Sequence, residues 1–505
     1  MLTRLLSFPL ILVLSAVAAL MMLLPMLDGL MRGDQGVARA FGASSVLGLA
    51  LVVAIGLSIS GRQRRDKSDF SNLVSLFMAY LVLPVFLAVP FYEALGTTSF
   101  LNAYLEMVSA ITTTGLPIFN PERLGDSLHL YRGLVAWLGG LFLWIAAAAI
   151  LAPMKLGGFE ITANAEPGQT DTNLDRFQRA TAERRLLLIT LRLAPVYIAL
   201  TGALWIMLML AGERALVAAV HGMSIMATSG ISPVGGIENG VAGIGGEMVM
   251  FLFLFFALSR LTFSSDTRVS QRAGIFADPE FRLAMVLVAI TTLILFARHW
   301  TGAFEVDDTS NLSLALRALW GAAFTALSFL TTTGFQSADW TAAQNWSGLG
   351  TPGLILLALS LVGGGLATTA GGVKLLRIYA LYLNGQRELQ RLVHPSSVGP
   401  SGLGNRRMRR DGAYVAWLFF MVFAMSLAVV TALFAVSGQG FEAALILTIS
   451  ALSTTGPLVA AAAETPIRLL ELTPGAKFVL CGAMVLGRIE ALAIFALFNP
   501  QLWRE

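Results

Sequence analysis

One cysteine in 505 residues, Cys481, rules out any disulfide within the chain. Charged residues make up only 13% of the sequence, too few to cover a soluble body of this size. The four histidines, His129, His221, His299 and His394, are scattered without metal-ligand spacing. A phosphate loop of the Gly-x-x-x-x-Gly-Lys-Ser/Thr kind is also missing, because the glycines before Lys374 lead into Leu375 and lie in an apolar run. No cluster of titratable groups stands where a membrane enzyme would need one. Together these absences exclude a disulfide-stapled domain and argue against an enzyme, a zinc protein or a nucleotide-binding chain. No bound cofactor is expected.

What fills the sequence is apolar: 56% hydrophobic residues and a mean hydropathy of +0.74. The expected fold class is an all-α polytopic membrane protein, with membrane lipid as its surroundings. Ten segments have spanning length, at about 5–27, 40–60, 70–92, 131–153, 185–211, 245–263, 280–297, 350–384, 412–437 and 475–498. The first is long enough to be a retained helix instead of a signal peptide. The net charge of +4 sits mainly in loops and points to no nucleic acid. Loops after even-numbered spans hold 21 of the 34 Lys and Arg residues, which predicts both termini in the cytoplasm. Two of those cations, Lys374 and Arg377, are counted in the cytoplasmic loop 374–410, which overlaps the end of the eighth segment. Acidic residues, among them Glu93, Glu122, Asp126 and Glu464, fall near the opposite mouths and could concentrate cations there.

A short template recurs four times: Ser at −6, an apolar residue at −4, Thr at −2, Thr or Ser at −1, then Gly. It reads through Thr113, Thr114 and Gly115; Thr228, Ser229 and Gly230; Thr332, Thr333 and Gly334; and Thr454, Thr455 and Gly456. Fixed-period self-similarity reports architecture. Each copy closes a short apolar helix, at about 99–111, 213–226, 311–330 and 441–452, expected to be re-entrant and not spanning. Glycine permits backbone angles that turn a carbonyl towards an axis, and four such loops would form a ring of oxygens that replaces a cation's water shell. The expected units are an N-terminal hairpin at 1–68, then pore repeats at 69–160, 161–270, 271–400 and 401–505 in a pseudo-fourfold arrangement.

The third repeat interrupts its own second span with Gly363, Gly364, Gly365, Thr368, Thr369, Gly371 and Gly372, followed by Lys374. Five glycines in ten residues weaken a helix by roughly 1 kcal/mol each, which predicts an unwound segment. The last span holds Gly487-Arg488-Ile489-Glu490. Intramembrane charges face cavities or partners, and residues two apart on a helix do not meet, so Arg488 and Glu490 each require another partner.

These residues resemble the Trk and Ktr potassium uptake superfamily, with its fungal and plant relatives, most closely the bacterial Trk membrane subunit. The likeness rests on the four Thr-Gly copies, the glycine run before Lys374, and the Gly-Arg-Ile-Glu stretch. It implies potassium as substrate, passing a filter whose quarters are the four glycine loops, in a bacterial inner membrane. It further implies a gate built from residues 363–374 with Arg488, a homodimer, and a cytosolic nucleotide-binding ring of the TrkA type. A proton- or sodium-coupled symporter is the alternative, since transporters also use broken helices. Two loops depart from the familiar pattern. Ser453-Thr454-Thr455-Gly456-Pro457 stands where Asn-Asn-Leu-Gly-Pro is usual, and Thr228-Ser229 where Ile-Gly is usual. Different side-chain support behind the carbonyls is implied.

Overall fold

A backbone surrounded by apolar side chains must satisfy its own polar groups, and the described residues do so with helices and turns alone. The computed structural model describes residues 9–59, 69–152, 154, 182–259, 278–301, 312–349, 351–393 and 410–490. The chain begins with α1 (Leu10–Met21) and α2 (Leu23–Arg32), which run on from one another. Gly33 at φ 79° then stops the helix, and α3 (Gln35–Ile59) returns beside it.

The same order of elements then recurs. A long helix leads into a short one, a turn follows, and another helix departs. First come α4 (Asp69–Leu95), α5 (Phe100–Ile111) and α6 (Asp126–Ala146), the last continuing as a π turn over Ala147–Leu151. Next are α7 (Ala182–Leu210), α8 (Ala215–Ala227) and α9 (Gly243–Leu254). The third passage is longer: α10 (Pro279–Thr301), α11 (Leu312–Leu330), α12 (Trp340–Ser347), α13 (Gly353–Val362) and α14 (Leu375–Val393). The fourth has α15 (Arg410–Val436), α16 (Phe441–Leu452), the single turn α17 (Leu458–Ala462) and α18 (Pro474–Ile489).

Capping explains several starts. The Ser99 hydroxyl accepts from the Asn102 amide at α5, and the Thr473 hydroxyl accepts from the Ala476 amide at α18, where Pro474 is the first helical residue. Burial sorts the helices by role. From Leu105 to Ile111 every residue of α5 is buried, as is Ile446 to Leu452 of α16. By contrast α3, α7 and α15 expose large apolar residues such as Leu47, Leu210 and Val436. The molecule is therefore apolar outside and carries its hydroxyl-rich turns at the centre, the reverse of a soluble protein.

Among the described residues, eight helices are long and apolar enough to cross a membrane. Several sequence expectations shift here. Of the segment predicted at 245–263, the described residues run to 259 and hold α9 and a 3₁₀ turn over Phe255–Ala257. The segment at 350–384 is two helices separated by irregular backbone. The span predicted to 498 ends its helix at Ile489, and residues 491–505 lie outside the described residues. At 19 residues, α11 is long enough to cross by itself, unlike the three shorter helices that precede the other turns. Lys374 and Arg377, predicted in a cytoplasmic loop, are instead buried, at 5% and 0% exposure. The reason is that each found a partner inside the protein.

Candidate functional site

The four template copies end their helices in one conformation. In each, the Thr at −2 is left-handed: Thr113 at φ 53°, Thr228 at 49°, Thr332 at 59° and Thr454 at 53°. The amide at −1 then bonds back to the carbonyl at −6. These are Thr114 to Ser109 at 2.8 Å, Ser229 to Ser224 at 2.9 Å, Thr333 to Ser328 at 2.9 Å and Thr455 to Ser450 at 2.9 Å. This is the Schellman closure, in which glycine normally takes the left-handed position. A β-branched residue there costs about 1–2 kcal/mol. Four such outliers at one template position mark a constrained site.

The glycine that follows is needed for two different reasons. Gly115, Gly230 and Gly334 adopt φ of 66°, 66° and 83°, which other residues reach only with strain. Gly456 is not left-handed, contrary to the expectation of one shared glycine conformation. Its constraint is steric, because a Cβ would strike Gly115, Leu116 and the Thr114 carbonyl, and its amide donates to that carbonyl at 2.6 Å. A Cβ on Gly115 would collide with the Ser229 carbonyl, and one on Gly230 with the Thr333 carbonyl. On Gly334 it would lie 3.1 Å from Pro457. The contacts thus run from the first loop to the second, third and fourth, and back to the first.

Hydroxyl pairs brace the turns from behind. Thr112 with Thr114 at 2.8 Å, Thr331 with Thr333 at 3.2 Å and Ser453 with Thr455 at 3.1 Å join positions −3 and −1. The second copy has Ala227 at −3, and Ser229 pairs with Ser224 instead, at 3.1 Å. The Ser at −6 is used differently in each copy: Ser109 accepts from the Leu116 amide, whereas Ser450 donates to the Thr455 carbonyl. His221 is fully buried, pairs with Ser232 at 2.9 Å and meets the Phe335 ring edge-on. Its setting is structural packing behind the second and third loops.

The predicted glycine break is irregular backbone between α13 and α14, and it lies against these turns. Gly363 and Gly372 are left-handed at φ 74° and 79°, and each has the other's backbone in the place of its Cβ. Gly365 donates to the Ala257 carbonyl and Leu366 to Glu280 Oε1, both at 3.0 Å. Thr369 Oγ1 reaches the Met226 carbonyl at 3.4 Å, and the Gly371 amide donates to Thr332 Oγ1 at 2.8 Å. Thr368 bonds within the segment, to the Gly365 carbonyl at 2.7 Å. A Cβ on Gly364 would contact Ala370 and the Ala257 carbonyl.

Charges tie the segment to the last helix. Arg488 donates to the Thr369 carbonyl at 2.6 Å and is 4% exposed. Lys374 Nζ donates to the Ala370 carbonyl. Arg377 pairs with Glu490 at 2.6 Å and lies over the Phe419 ring at 3.6 Å. Removing one partner of such a buried pair leaves an uncompensated charge. Arg488 and Glu490 do not pair with each other, as their spacing requires. Sequence reasoning singled out Arg488 and Lys374 but missed the structural roles of Arg377, Glu490 and Glu280. The one signal available was that Glu490 needed a partner somewhere. Among the described residues no group of His, Cys, Asp and Glu could hold a metal ion.

The family model described as TrkH, cation transport protein, matches residues 247–504. The Trk system potassium uptake protein TrkH of Salmonella typhimurium is 30% identical over 497 residues, covering 96% of each chain. The Trk system potassium uptake protein TrkI of Halomonas elongata is 27% identical, covering 98% of this chain and 96% of its own. In fold, the chain is similar to the crystal structure of the potassium transporter TrkH from Vibrio parahaemolyticus. The TM-score is 0.81, at 24% identity, over 99% of both chains. The chain is thus a multi-pass, all-helical membrane protein that belongs to the TrkH family of cation transport proteins, which are transporters and not enzymes.

Proposed function

We propose that this chain takes up potassium across a bacterial inner membrane through a channel-like pore, with the four Thr-Gly turns as its selectivity filter. The relatives are named potassium uptake proteins, and the filter reading rests on the loops themselves. The observation that carries it is their cyclic contact, each loop touching the next in chain order and the fourth touching the first. Carbonyls held in such a ring can replace the hydration shell of one ion and fit another less well. In this reading the ligands come from residues 113–115, 228–230, 332–334 and 454–456. The repeat units are 69–160, 161–270, 271–400 and 401–505, behind the hairpin 1–68.

Residues 363–374 and Arg488 form the gate of this proposal. The segment contacts the second, third and fourth turns at once, and Arg488 bonds to it. A guanidinium beside the ion path raises the barrier to a cation by about 4 kcal/mol at 4 Å and an effective dielectric of about 20. In this reading both termini lie in the cytoplasm, which the excess of Lys and Arg in the corresponding loops supports. A homodimer, and a cytosolic nucleotide-binding ring as partner, complete the proposal. Potassium and sodium flux into liposomes holding the purified protein, with and without a proton gradient, tests it. Preferred potassium flux, independent of the gradient, is expected. Equal flux of both ions sinks the filter reading, and flux that demands the gradient sinks the channel reading.

A further inference from the structure

The four left-handed threonines hold equivalent positions, yet their hydroxyls have unequal surroundings. Thr113, Thr228 and Thr454 Oγ1 are buried and have no hydrogen-bond partner among the described residues. Thr332 Oγ1, at the same template position, accepts the Gly371 amide at 2.8 Å. Folded proteins leave few buried polar atoms unpaired, and each such atom requires an explanation. Here three occur at a single template position, in three turns that belong to one ring of contacts. A hydroxyl oxygen that no donor occupies can serve as a ligand to a dehydrated monovalent cation. Gly371 sits where the third and fourth turns meet. Its amide is on Thr332, and a Cβ on it would strike both the Thr454 hydroxyl and the Ser453 carbonyl.

We propose that the hydroxyls of Thr113, Thr228, Thr332 and Thr454 form a second tier of monovalent-cation ligands, and that the docked loop withholds the Thr332 ligand through the Gly371 amide. The inference rests on the reading of the Thr-Gly turns as the conduction path, and it assigns that site its regulation. Loop docking and cation binding at the tier then compete for one oxygen. By linkage, potassium at the tier favours release of the loop, and release of the loop strengthens the tier. Thr332 differs from its three counterparts because it is both ligand and loop anchor.

Single valine substitutions separate these roles, since valine keeps the β-branched shape and removes the hydroxyl. Resting potassium flux into liposomes is measured for each variant without any partner protein. T113V, T228V and T454V lose a ligand only, and their flux is expected to fall. T332V also frees the loop, and its resting flux is expected to rise about two- to tenfold, the shift that one net hydrogen bond gives a docking equilibrium. T332S, which keeps the hydroxyl, brings the flux back down. T332A serves where T332V does not fold, with the same expectation. A fall in T332V and T332A flux like that of the other three overturns the inference, as does a rise in any of those three matching T332V. A wild-type protein that passes sodium and potassium alike defeats the filter reading itself, which is a distinguishable failure.

Discussion

Gly334 and Gly456 show how one residue type meets two different demands at the centre of this protein. Gly334 is left-handed at φ 83° and sits 3.1 Å from Pro457 by its absent Cβ. Gly456 is not left-handed, but backbone of the first turn surrounds it. Gly334→Ser imposes a strained backbone of about 1–2 kcal/mol and leaves the neighbours room to give by tenths of an ångström. Its expected outcome is a folded protein whose potassium preference over sodium falls several-fold in liposome flux. Gly456→Ser must displace the backbone of another loop, so a larger loss, including reduced yield of folded protein, is expected. Retention of wild-type selectivity in both variants, with normal expression, would show that these turns do not discriminate ions.

Helices are joined across the molecule by a few buried polar contacts, and two of them make specific predictions. Arg488 on α18 reaches the Thr369 carbonyl of the glycine segment. Arg488→Ala removes that tie together with a cation near the proposed path. Resting potassium flux should rise by about ten- to a hundredfold, the range of one hydrogen bond to a charged donor. Flux unchanged or lowered in folded protein would leave Arg488 as a helix anchor only. Glu247 on α9 is 3% exposed and accepts from Trp320 Nε1 at 2.8 Å, Ser337 Oγ at 2.7 Å and the Ala338 amide at 2.7 Å. It thereby fastens the third passage, just beyond Gly334, to the second. Glu247→Gln turns one acceptor into a donor facing another donor, which costs about 1–3 kcal/mol. A lower melting temperature and a weaker potassium preference are expected, with S337A intermediate. A variant that melts and selects like the wild type would remove Glu247 from that role.

The whole molecule has apolar flanks and hydroxyl-rich turns buried at its centre, which suits lipid outside and, in the proposed function, ions within. Its described residues include no phosphate-binding loop, and the expected cytoplasmic loops, at 152–186 and 385–411, are far shorter than a typical domain. Any nucleotide response is therefore expected to need a second protein docked on those loops. Calorimetry of the purified chain with nucleotides should show no heat of binding, and a measurable affinity of the chain alone would contradict the arrangement. Light scattering of the detergent-solubilised protein tests the homodimer, and a monomer at micromolar concentration would count against it.

The sequence by itself determined the class, the fourfold template and the interruption in the third repeat. Composition selects helices in lipid, and a template repeated at near-constant spacing survives any uncertainty about helix ends. The glycine run announced its irregular backbone because five glycines in ten residues cannot be held by local helix propensity. Spacing also showed that Arg488 and Glu490 could not satisfy each other. Only the tertiary structure decided who their partners are, because Arg377 and Glu490 lie 113 positions apart and no local pattern links them. The same is true of the left-handed threonines. Propensity places glycine at such a turn, and the threonine that stands there in all four is visible only in the folded backbone. Lys374 and Arg377 were misplaced for the complementary reason: charge predicts exposure until a buried carboxylate, an aromatic face or a carbonyl is brought to it from elsewhere in the chain.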